Sequence, residues 1–217
     1  MIDIINIIDK LRSLPHVFST AEAVAILAQQ YKAPLKALEG LEHRNTVVRI
    51  RRGQYALRAG FDPFLAANLI HTPSYISYET ALAFYGLIPE RVELILSVVD
   101  GRPLELKTTV GDFSYLSQSR RLFALGFDLL ISPHGNIAIA NREKAVLDTL
   151  ARAKLRAASS SPTEILKYMI EGMRIDESEL KRLSITKLKA MAPLYRNLAP
   201  RKLTMALALA STRKSEL

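Results

Sequence analysis

The sequence contains no cysteine and no tryptophan. Without cysteine the chain can form no disulfide, thiol nucleophile or cysteine-ligated zinc site. No uninterrupted apolar run approaches the roughly 20 residues that span a bilayer, so we expect no membrane segment. The first residues are apolar but include Asp3 and Asp9, whereas a secretory signal starts with basic residues. We therefore expect a cytoplasmic protein.

The common catalytic motifs are also missing. There is no glycine-rich phosphate loop and no G-x-S-x-G nucleophile elbow. The histidines are dispersed and form no metal-ligand motif: His16, His43, His71 and His134. We therefore expect a protein that is not an enzyme, with no catalytic residue, metal or cofactor.

One catalytic alternative remains. Asp100, Glu105 and Lys107 form a D-x4-E-x-K pattern, loosely like metal-dependent nucleases, in which carboxylates hold Mg²⁺ and a lysine steadies the attacking water. Nuclease sites usually have more sequence between the aspartate and the E-x-K strand. Glu105 and Lys107 also alternate with leucines, as they would in any half-exposed strand.

The basic residues are concentrated at the two ends of the chain. The net charge is +9 over 217 residues. Residues 1–60 carry nine Lys or Arg and five Asp or Glu, a net +4, whereas residues 61–150 carry seven and ten, a net −3. Residues 151–217 carry fourteen and six, a net +8. Such fields favour a polyanionic partner, although Lys and Arg also solubilise exposed helices.

Three helices are predicted before residue 45. Apolar residues at helical spacing run over residues 4–11. Ser19 and Glu22 form the sequence pattern of a capping box at the start of a second helix. Pro34 suits the first turn of a third helix. Three leucines of this helix are expected to face the core: Leu35, Leu38 and Leu41.

A hairpin follows the third helix. Two short alternating strands, Val47–Arg51 and Gln54–Arg58, are joined at Arg52 and Gly53, so Val48 and Ile50 are expected inside and Arg49 and Arg51 outside. Three helices followed by a hairpin predict a winged helix-turn-helix domain over residues 1–60.

This predicted domain has the features of a DNA reader. In a winged helix the third helix enters the major groove and the wing contacts the backbone or the minor groove. Small side chains on the outer face of the third helix would let its axis approach the bases, and flanking cations would reach phosphates or guanine edges. We expect DNA contacts from Tyr31, Lys32, Lys36, Arg44, Arg49, Arg51, Arg52, Gln54 and Arg58.

The pattern changes after Gly60. Two helices are predicted, at Pro63–Ile70 and Ser77–Tyr85. Strands are then predicted at Val92–Val99, Leu104–Val110, Phe113–Leu116, Phe127–Ser132 and Ile137–Ala140, with residues 134–136 turning the last pair. Asn141 can cap the helix that follows, and a second capping box begins at Ser161. We expect an α+β chain: a second domain over 61–217, with a mostly antiparallel β region over about 61–156 and a basic helical tail over about 157–217.

Several segments resemble the AbiEi-type antitoxin family. The wing segment VRIRRGQY (48–55) is similar to its arginine-glycine-x-tyrosine hairpin. The more specific likeness lies in SYISYETAL (74–82), YGLIPE (85–90), GDFSY (111–115) and IANREKAVLD (139–148). The family often has proline where this chain has Asn141 or Arg142. The resemblance covers roughly residues 16–150.

The resemblance implies a two-domain transcriptional regulator from a bacterial type IV toxin–antitoxin system used in abortive infection, a defence against viruses. Its winged helix would repress the operon promoter at inverted repeats in double-stranded DNA. Its second domain would counter a nucleotidyltransferase-like toxin without requiring a stable complex. We expect a monomer in solution and two copies on DNA. The alternative is a toxin-binding interaction module whose DNA contact is incidental.

The segment 143–148 supplies the candidate functional residues of the second domain. Glu143 in the first turn of a helix suits the helix dipole. Lys144 and Asp148 are four residues apart, the spacing of a surface ion pair that contributes little.

The basic tail supports one further hypothesis, that its positive field extends the DNA footprint beyond the wing. The cations that would supply this field are Lys181, Arg182, Lys187, Lys189, Arg196, Arg201 and Lys202.

Overall fold

The computed structural model describes residues 4–90, 92–153, 155 and 159–212. In these ranges the chain is a mixed α and β protein with eleven α-helices and two β-sheets. The elements before Gly60 are α1 (Ile4–Leu11), β1 (Val17–Ser19), α2 (Thr20–Leu27), α3 (Pro34–His43), β2 (Val47–Arg51) and β3 (Gln54–Leu57).

The first sheet is an antiparallel unit with the strand order β1-β3-β2. The hairpin and the three helices agree with the sequence-based prediction, but β1 was not predicted. Its three residues are too few to show a strand period. The predicted capping box of α2 is confirmed: the Glu22 amide donates to Ser19 Oγ (3.2 Å) and the Ser19 amide donates to the Glu22 carboxylate (2.6 Å).

The side chains of α3 divide differently from the prediction. Leu38 and Leu41 are buried, but Leu35 is 57% exposed. The prediction was wrong at Leu35, which lies in the first turn of the helix, beyond the reach of the core. In the hairpin, the predicted inward positions of Val48 and Ile50 are confirmed.

The rest of the chain builds the second sheet and the helices around it. Its first elements are α4 (Pro63–Ile70), β4 (Ser74–Ile76), α5 (Tyr78–Phe84), β5 (Leu94–Val99), β6 (Leu104–Thr108), β7 (Gly111–Ser117), α6 (Arg120–Phe123), β8 (Phe127–Ser132) and β9 (Gly135–Ala140). The helical half follows: α7 (Arg142–Arg152), α8 (Pro162–Lys167) continued by a π-helical turn (Tyr168–Gly172), α9 (Glu177–Lys181), α10 (Ile185–Met191) continued by a 3₁₀ turn (Ala192–Leu194), and α11 (Ala199–Thr212).

The six-stranded sheet is mixed: three of its five strand pairs are antiparallel, in line with the mostly antiparallel region that we expected, and two parallel pairs were not predicted. Its order is β6-β7-β5-β4-β9-β8, and the β5–β7 and β4–β9 pairs are parallel. The unpredicted strand β4 causes the second of these pairs, because it enters the centre of the sheet between β5 and β9. The turn between β8 and β9 is also shorter than expected, since Gly135 and Asn136 already belong to β9.

The helix caps of the second half follow the sequence. The side chain of Asn141 accepts the Lys144 amide at the start of α7 (2.9 Å), and Ser161 forms the predicted capping box of α8. Gly86, with φ +70°, ends the helical segment of α5 as expected.

The first unit has a buried core of its own between its helices and its sheet, and it also contributes to the core of the second half. Four residues of the first sheet belong to the same buried cluster as the second sheet and its helices: Val17, Val48, Ile50 and Ala56. Two hydrogen bonds cross the same boundary. The Asp62 amide donates to His16 Nε2 (2.8 Å), and Arg51 Nη2 donates to the Ile70 carbonyl (3.1 Å). The first sheet is therefore packed onto the second half of the chain.

No helix in the described ranges combines the length and apolar character that crossing a membrane requires.

Candidate functional site

The outer face of α3 carries exposed cations. Lys32 lies in the turn before the helix, Lys36 in its first turns, and Arg44 directly after its end; all three are exposed. Tyr31, in contrast, is half-buried and packs against the core of the first unit. Of these four residues predicted to contact DNA, the three cations are exposed and Tyr31 is half-buried against the core of the first unit.

Arg49 is exposed on β2 but is held by neighbours. Its guanidinium pairs with the Glu42 carboxylate on α3 (2.9 Å) and lies over the Tyr55 ring at 5.5 Å. This arrangement fixes the direction of the side chain between α3 and the hairpin. It also cancels part of the charge that we expected Arg49 to offer.

Arg51 connects the hairpin to the second half of the chain. Its Nε donates to Gln54 Oε1 (2.7 Å), and its Nη2 donates to the carbonyl of Ile70 at the end of α4. Arg51 and Gln54, which were predicted to contact DNA, therefore hold one another, and Arg51 anchors the hairpin to α4.

The tip and the far end of the hairpin carry the less constrained cations. Arg52 at the turn and Arg58 after β3 are exposed. Within the described ranges, neither these two side chains nor Lys32, Lys36 and Arg44 form an ion pair. These five cations make up what we call the basic face, and it lies on one unit with α3 and the hairpin.

The expectation that Lys144 and Asp148 form a surface ion pair was wrong. Lys144 and Asp148 form an ion pair (Nζ–Oδ1, 2.5 Å) in which both side chains are 0% exposed. Every residue from Glu143 to Leu150 of α7 is buried, because the helix passes through the middle of the second half. The pair is a buried one, in which the desolvation cost is large and must be offset by further hydrogen bonds.

Those hydrogen bonds come from three distant residues. Gln118 receives a bond from Lys144 Nζ (2.8 Å) and donates its amide to Asp148 Oδ1 (2.6 Å). Tyr195 receives a bond from Lys144 Nζ (3.1 Å) and donates its hydroxyl to Asp148 Oδ1 (2.5 Å). Ser77 donates to the other carboxylate oxygen (2.7 Å). We call these five residues the buried network.

The two charged groups of the buried network are fully hydrogen-bonded within the protein. The three donors of the Lys144 ammonium are all used, and both oxygens of Asp148 accept bonds. Burial lowers the pKa of Lys144 below its ordinary value, and the Asp148 carboxylate opposes this change. Burial, followed by the Asp148 charge, raises the pKa of Tyr195, so the phenol keeps its proton.

Glu143 serves a different contact. Its carboxylate accepts the Ser184 amide (2.8 Å) and lies 3.8 Å from Lys187 Nζ. It therefore attaches α7 to the start of α10. Glu143 is buried like its neighbours, and the structure does not bring its carboxylate into the buried network.

Sequence reasoning missed Ser77, Gln118 and Tyr195. Each lies far along the chain from α7, and none belongs to a spaced motif with Lys144 or Asp148. The available signal was the position of each residue, since Ser77 begins a predicted helix and Gln118 lies two residues after a predicted strand.

The residues of the nuclease-like pattern lie in and just before β6, at one edge of the six-stranded sheet. Glu105 and Lys107 are exposed on the edge strand β6, where they alternate with half-buried leucines. Asp100 lies in the turn before this strand, with a carboxylate oxygen 3.9 Å from Arg120 Nε. Among the described residues there is no cluster of three His, Cys, Asp or Glu that could hold a metal ion.

The cations of the C-terminal tail are partly neutralised. Lys181 pairs with Glu177 (2.5 Å), and Arg182 pairs with Glu179. Arg201 donates to the carbonyl of Pro193 (2.7 Å). Glu177 and Glu179 are already counted in the net +8 of residues 151–217, so these two pairs do not lower that total.

Models of known protein families and curated protein sequences both give no match to this chain.

Proposed function

We propose that this chain is a DNA-binding transcriptional repressor whose first unit is a winged helix-turn-helix domain. The observation that carries the proposal is the basic face, five exposed cations in or directly beside α3 and the hairpin, without carboxylate partners in the described ranges. The order α1, β1, α2, α3 and the β2–β3 hairpin supports it, because this is the order of a winged helix. In this arrangement α3 enters the major groove and Arg52 at the hairpin tip contacts the backbone or the minor groove.

The cations of the first unit differ in whether a neighbouring group already binds them, and we assign them different roles on that basis. Lys32, Lys36, Arg44, Arg52 and Arg58 neutralise phosphates or contact base edges, because their charges are not already satisfied within the protein. Arg49, paired with Glu42, and Arg51, bound to the Ile70 carbonyl, hold the wing at a fixed angle to the helix. The proposal thus assigns direct contact to the basic face and positioning to the other two arginines.

A gel-shift titration against the DNA upstream of the chain's own gene tests this proposal. We expect binding to double-stranded DNA with inverted repeats, with an affinity that falls steeply with salt. In Arg52→Ala/Arg58→Ala the slope of log K against log[salt] should become shallower by about 1.8, because two phosphate contacts are lost. The matched control is Arg102→Ala/Arg121→Ala, which removes two exposed cations from outside both the basic face and the basic tail.

Two results would contradict the proposal. One is the absence of any shift at moderate salt. The other is an equal loss of affinity in the control pair, which would mean that only net charge matters.

We further propose that the second half acts as the antitoxin of a type IV abortive-infection system in the bacterial cytoplasm, without enzymatic activity. The support is the set of family-like segments 74–90, 111–115 and 139–148. They contribute Ser77, Lys144 and Asp148 to the buried network, so the resemblance lies in the part of the chain that builds the second core. Regulator and antitoxin would then be two functions of one chain, and the operator-bound form would have two copies on one inverted repeat.

Co-expression with the product of the neighbouring gene tests the antitoxin half separately. If that gene encodes a nucleotidyltransferase-like toxin, the chain should restore growth. The Arg52→Ala/Arg58→Ala variant should also restore growth although it no longer represses. A chain that forms a stable complex with the toxin but never shifts DNA would instead be an interaction module, and the repressor proposal would fall.

A further inference from the structure

A cavity of about 850 Å³ opens beside the buried network. It lies between the end of β7, the start of α6, the last turn of α7 and the segment 194–197. Concave sites of this kind, with apolar walls and a few convergent polar groups, are typical of small-molecule binding sites. No residue of the basic face lines this cavity, so a ligand could bind here whether or not the protein binds DNA.

The floor of the cavity is rigid. Gln118, Asp148 and Tyr195 belong both to its lining and to the buried network, so their positions are fixed by the hydrogen bonds described above. Asp148 does not give the floor a free negative charge, because Lys144 neutralises it within the network.

One wall contains a strained residue. The backbone of Tyr78 adopts a left-handed conformation with φ +54°, which is costly for an aromatic residue. Its ring is buried and lies 5.3 Å from the guanidinium of Arg152, which is itself held by both oxygens of Glu79 (2.7 and 2.8 Å). Strain of this kind persists where the surroundings fix a side chain in place, and it is concentrated at ligand sites.

The remaining walls and the mouth have different chemistry. Four apolar side chains belong to the lining: Pro103, Leu116, Leu122 and Leu194. At the mouth Arg196 is exposed, and the described part of the chain provides it with no carboxylate. The hydroxyl of Ser119 also lies there and makes no capping bond to α6. A lining that combines these apolar side chains with Tyr78, Tyr195 and an available guanidinium suits a flat aromatic body carrying one negative group.

We propose that this cavity binds a small organic anion with a flat ring, whose phosphate or carboxylate pairs with Arg196. The ring lies between the apolar walls above the fixed floor. The guanidinium can take either anion with two parallel hydrogen bonds.

A tryptophan reporter tests the proposal directly, because the chain has no tryptophan of its own. Ser119→Trp places a single indole at the mouth. The matched control Ile131→Trp places one at a site on β8 that is 92% exposed and outside the cavity lining. The probes are AMP, a ring with a phosphate, and nicotinate, a ring with a carboxylate. Their uncharged counterparts are adenosine and nicotinamide.

We expect AMP, nicotinate or both to change the fluorescence of Ser119→Trp saturably, while Ile131→Trp stays unchanged. Adding Arg196→Ala should weaken that binding roughly tenfold, whereas adding Lys189→Ala, which removes an exposed cation elsewhere, should not. A response to AMP alone assigns the anion as a phosphate, and a response to nicotinate alone assigns it as a carboxylate.

Three outcomes would overturn the proposal. The first is no saturation by either anion up to about 10 mM, where a useful site would be filled. The second is equal binding of the uncharged counterparts. The third is an Arg196→Ala affinity equal to that of the unsubstituted reporter. Ligand-observed NMR on the chain without any substitution repeats the measurement, so a blocked mouth in Ser119→Trp cannot be mistaken for an absent site.

Discussion

Lys144 and Asp148, one helical turn apart on α7, form an ion pair that is wholly enclosed by the protein. Such a pair gains its stability only if both charges are present and fully hydrogen-bonded. Three residues from distant parts of the chain meet that condition. Gln118 follows β7, Tyr195 lies in the segment after α10, and Ser77 directly precedes α5. The pair therefore ties three separate parts of the second half to one helix.

The first prediction is that Lys144→Met destabilises the protein by roughly 3 to 5 kcal/mol, because it leaves the Asp148 carboxylate buried without a counter-charge. The measurement is the free energy of unfolding from a urea titration. The double variant Lys144→Met/Asp148→Leu should recover most of this loss, since both charges are then gone. If the double variant were as unstable as the sum of the two single variants, the two charges would not be coupled.

The second prediction concerns Gly126, which lies against Lys144. A Cβ built there would be 2.6 Å from Met191 Sδ and 2.9 Å from Lys144 Cβ, and the backbone has φ +74°. Gly126→Ala should therefore lower the unfolding free energy by about 2 kcal/mol, from strain and overpacking together.

Gly40 is the control for this substitution. It lies within α3, and a Cβ there would have no heavy atom within 4 Å. Gly40→Ala should raise the unfolding free energy by about 0.5 to 1 kcal/mol, because alanine loses less backbone entropy in a helix. A similar destabilisation at both glycines would contradict the packing argument.

The third prediction is a loss of stability in mild acid that depends on His16. Its Nε2 accepts the Asp62 amide, which requires a neutral ring, and burial lowers the pKa of His16 below 6.5, with a stacked His134 at 5.9 Å. Above pH 6.5 the ring is neutral in both states and the full stability is present. As the pH falls below about 6.5 the unfolded chain takes up the proton first, so the unfolding free energy falls until the lowered pKa is passed.

The measurement is the urea midpoint between pH 8 and pH 5. His16→Gln should have a flatter pH profile in this window and a lower stability at its alkaline end. His43→Gln removes an exposed histidine of α3 and should keep the profile of the unsubstituted chain. An unchanged slope in His16→Gln would assign the acid sensitivity to other groups.

The fourth prediction separates Arg51 from Arg52 at the hairpin. Arg51→Ala removes the bond to the Ile70 carbonyl, so it should cost roughly 1 kcal/mol of stability and also weaken DNA binding through a misplaced wing. Arg52→Ala should leave the unfolding free energy within about 0.5 kcal/mol and make the salt slope of DNA binding shallower by about 0.9. Paired urea and gel-shift titrations check both. Identical behaviour of the two variants in both assays would contradict the assigned roles.

The sequence predicted most of the helices and strands, but few of the contacts between segments that are distant in the chain. Caps such as Ser19 and Asn141 depend on residues three positions away, so local sequence specifies them. The position of β4 in the sheet and the enclosure of Lys144 depend on contacts between distant segments, which helical or strand periodicity does not report. An i,i+4 Lys–Asp spacing looks the same on a surface and in a core, and only the residues packed over it decide the difference.

The same limit applies to the basic face and the cavity. The exposed cations of α3 and the hairpin could be selected from alternation and helical spacing. The satisfaction of Arg49 by Glu42, and of Arg51 by a carbonyl of α4, could not, because each partner lies on another element. The cavity is lined by residues from several segments that are separate in the sequence, so no sequence motif indicates it.

Because Val48, Ile50 and Ala56 of the first sheet are buried among side chains of the second half, the core that joins the two parts is complete only when both are folded. We expect heating to melt both in one step and a cut near Gly60 to yield no durable fragment. Damage anywhere in this common interior would then send the whole chain to degradation. In a cell, the amounts of the folded first unit and of the folded second half would therefore change together, always in equal number.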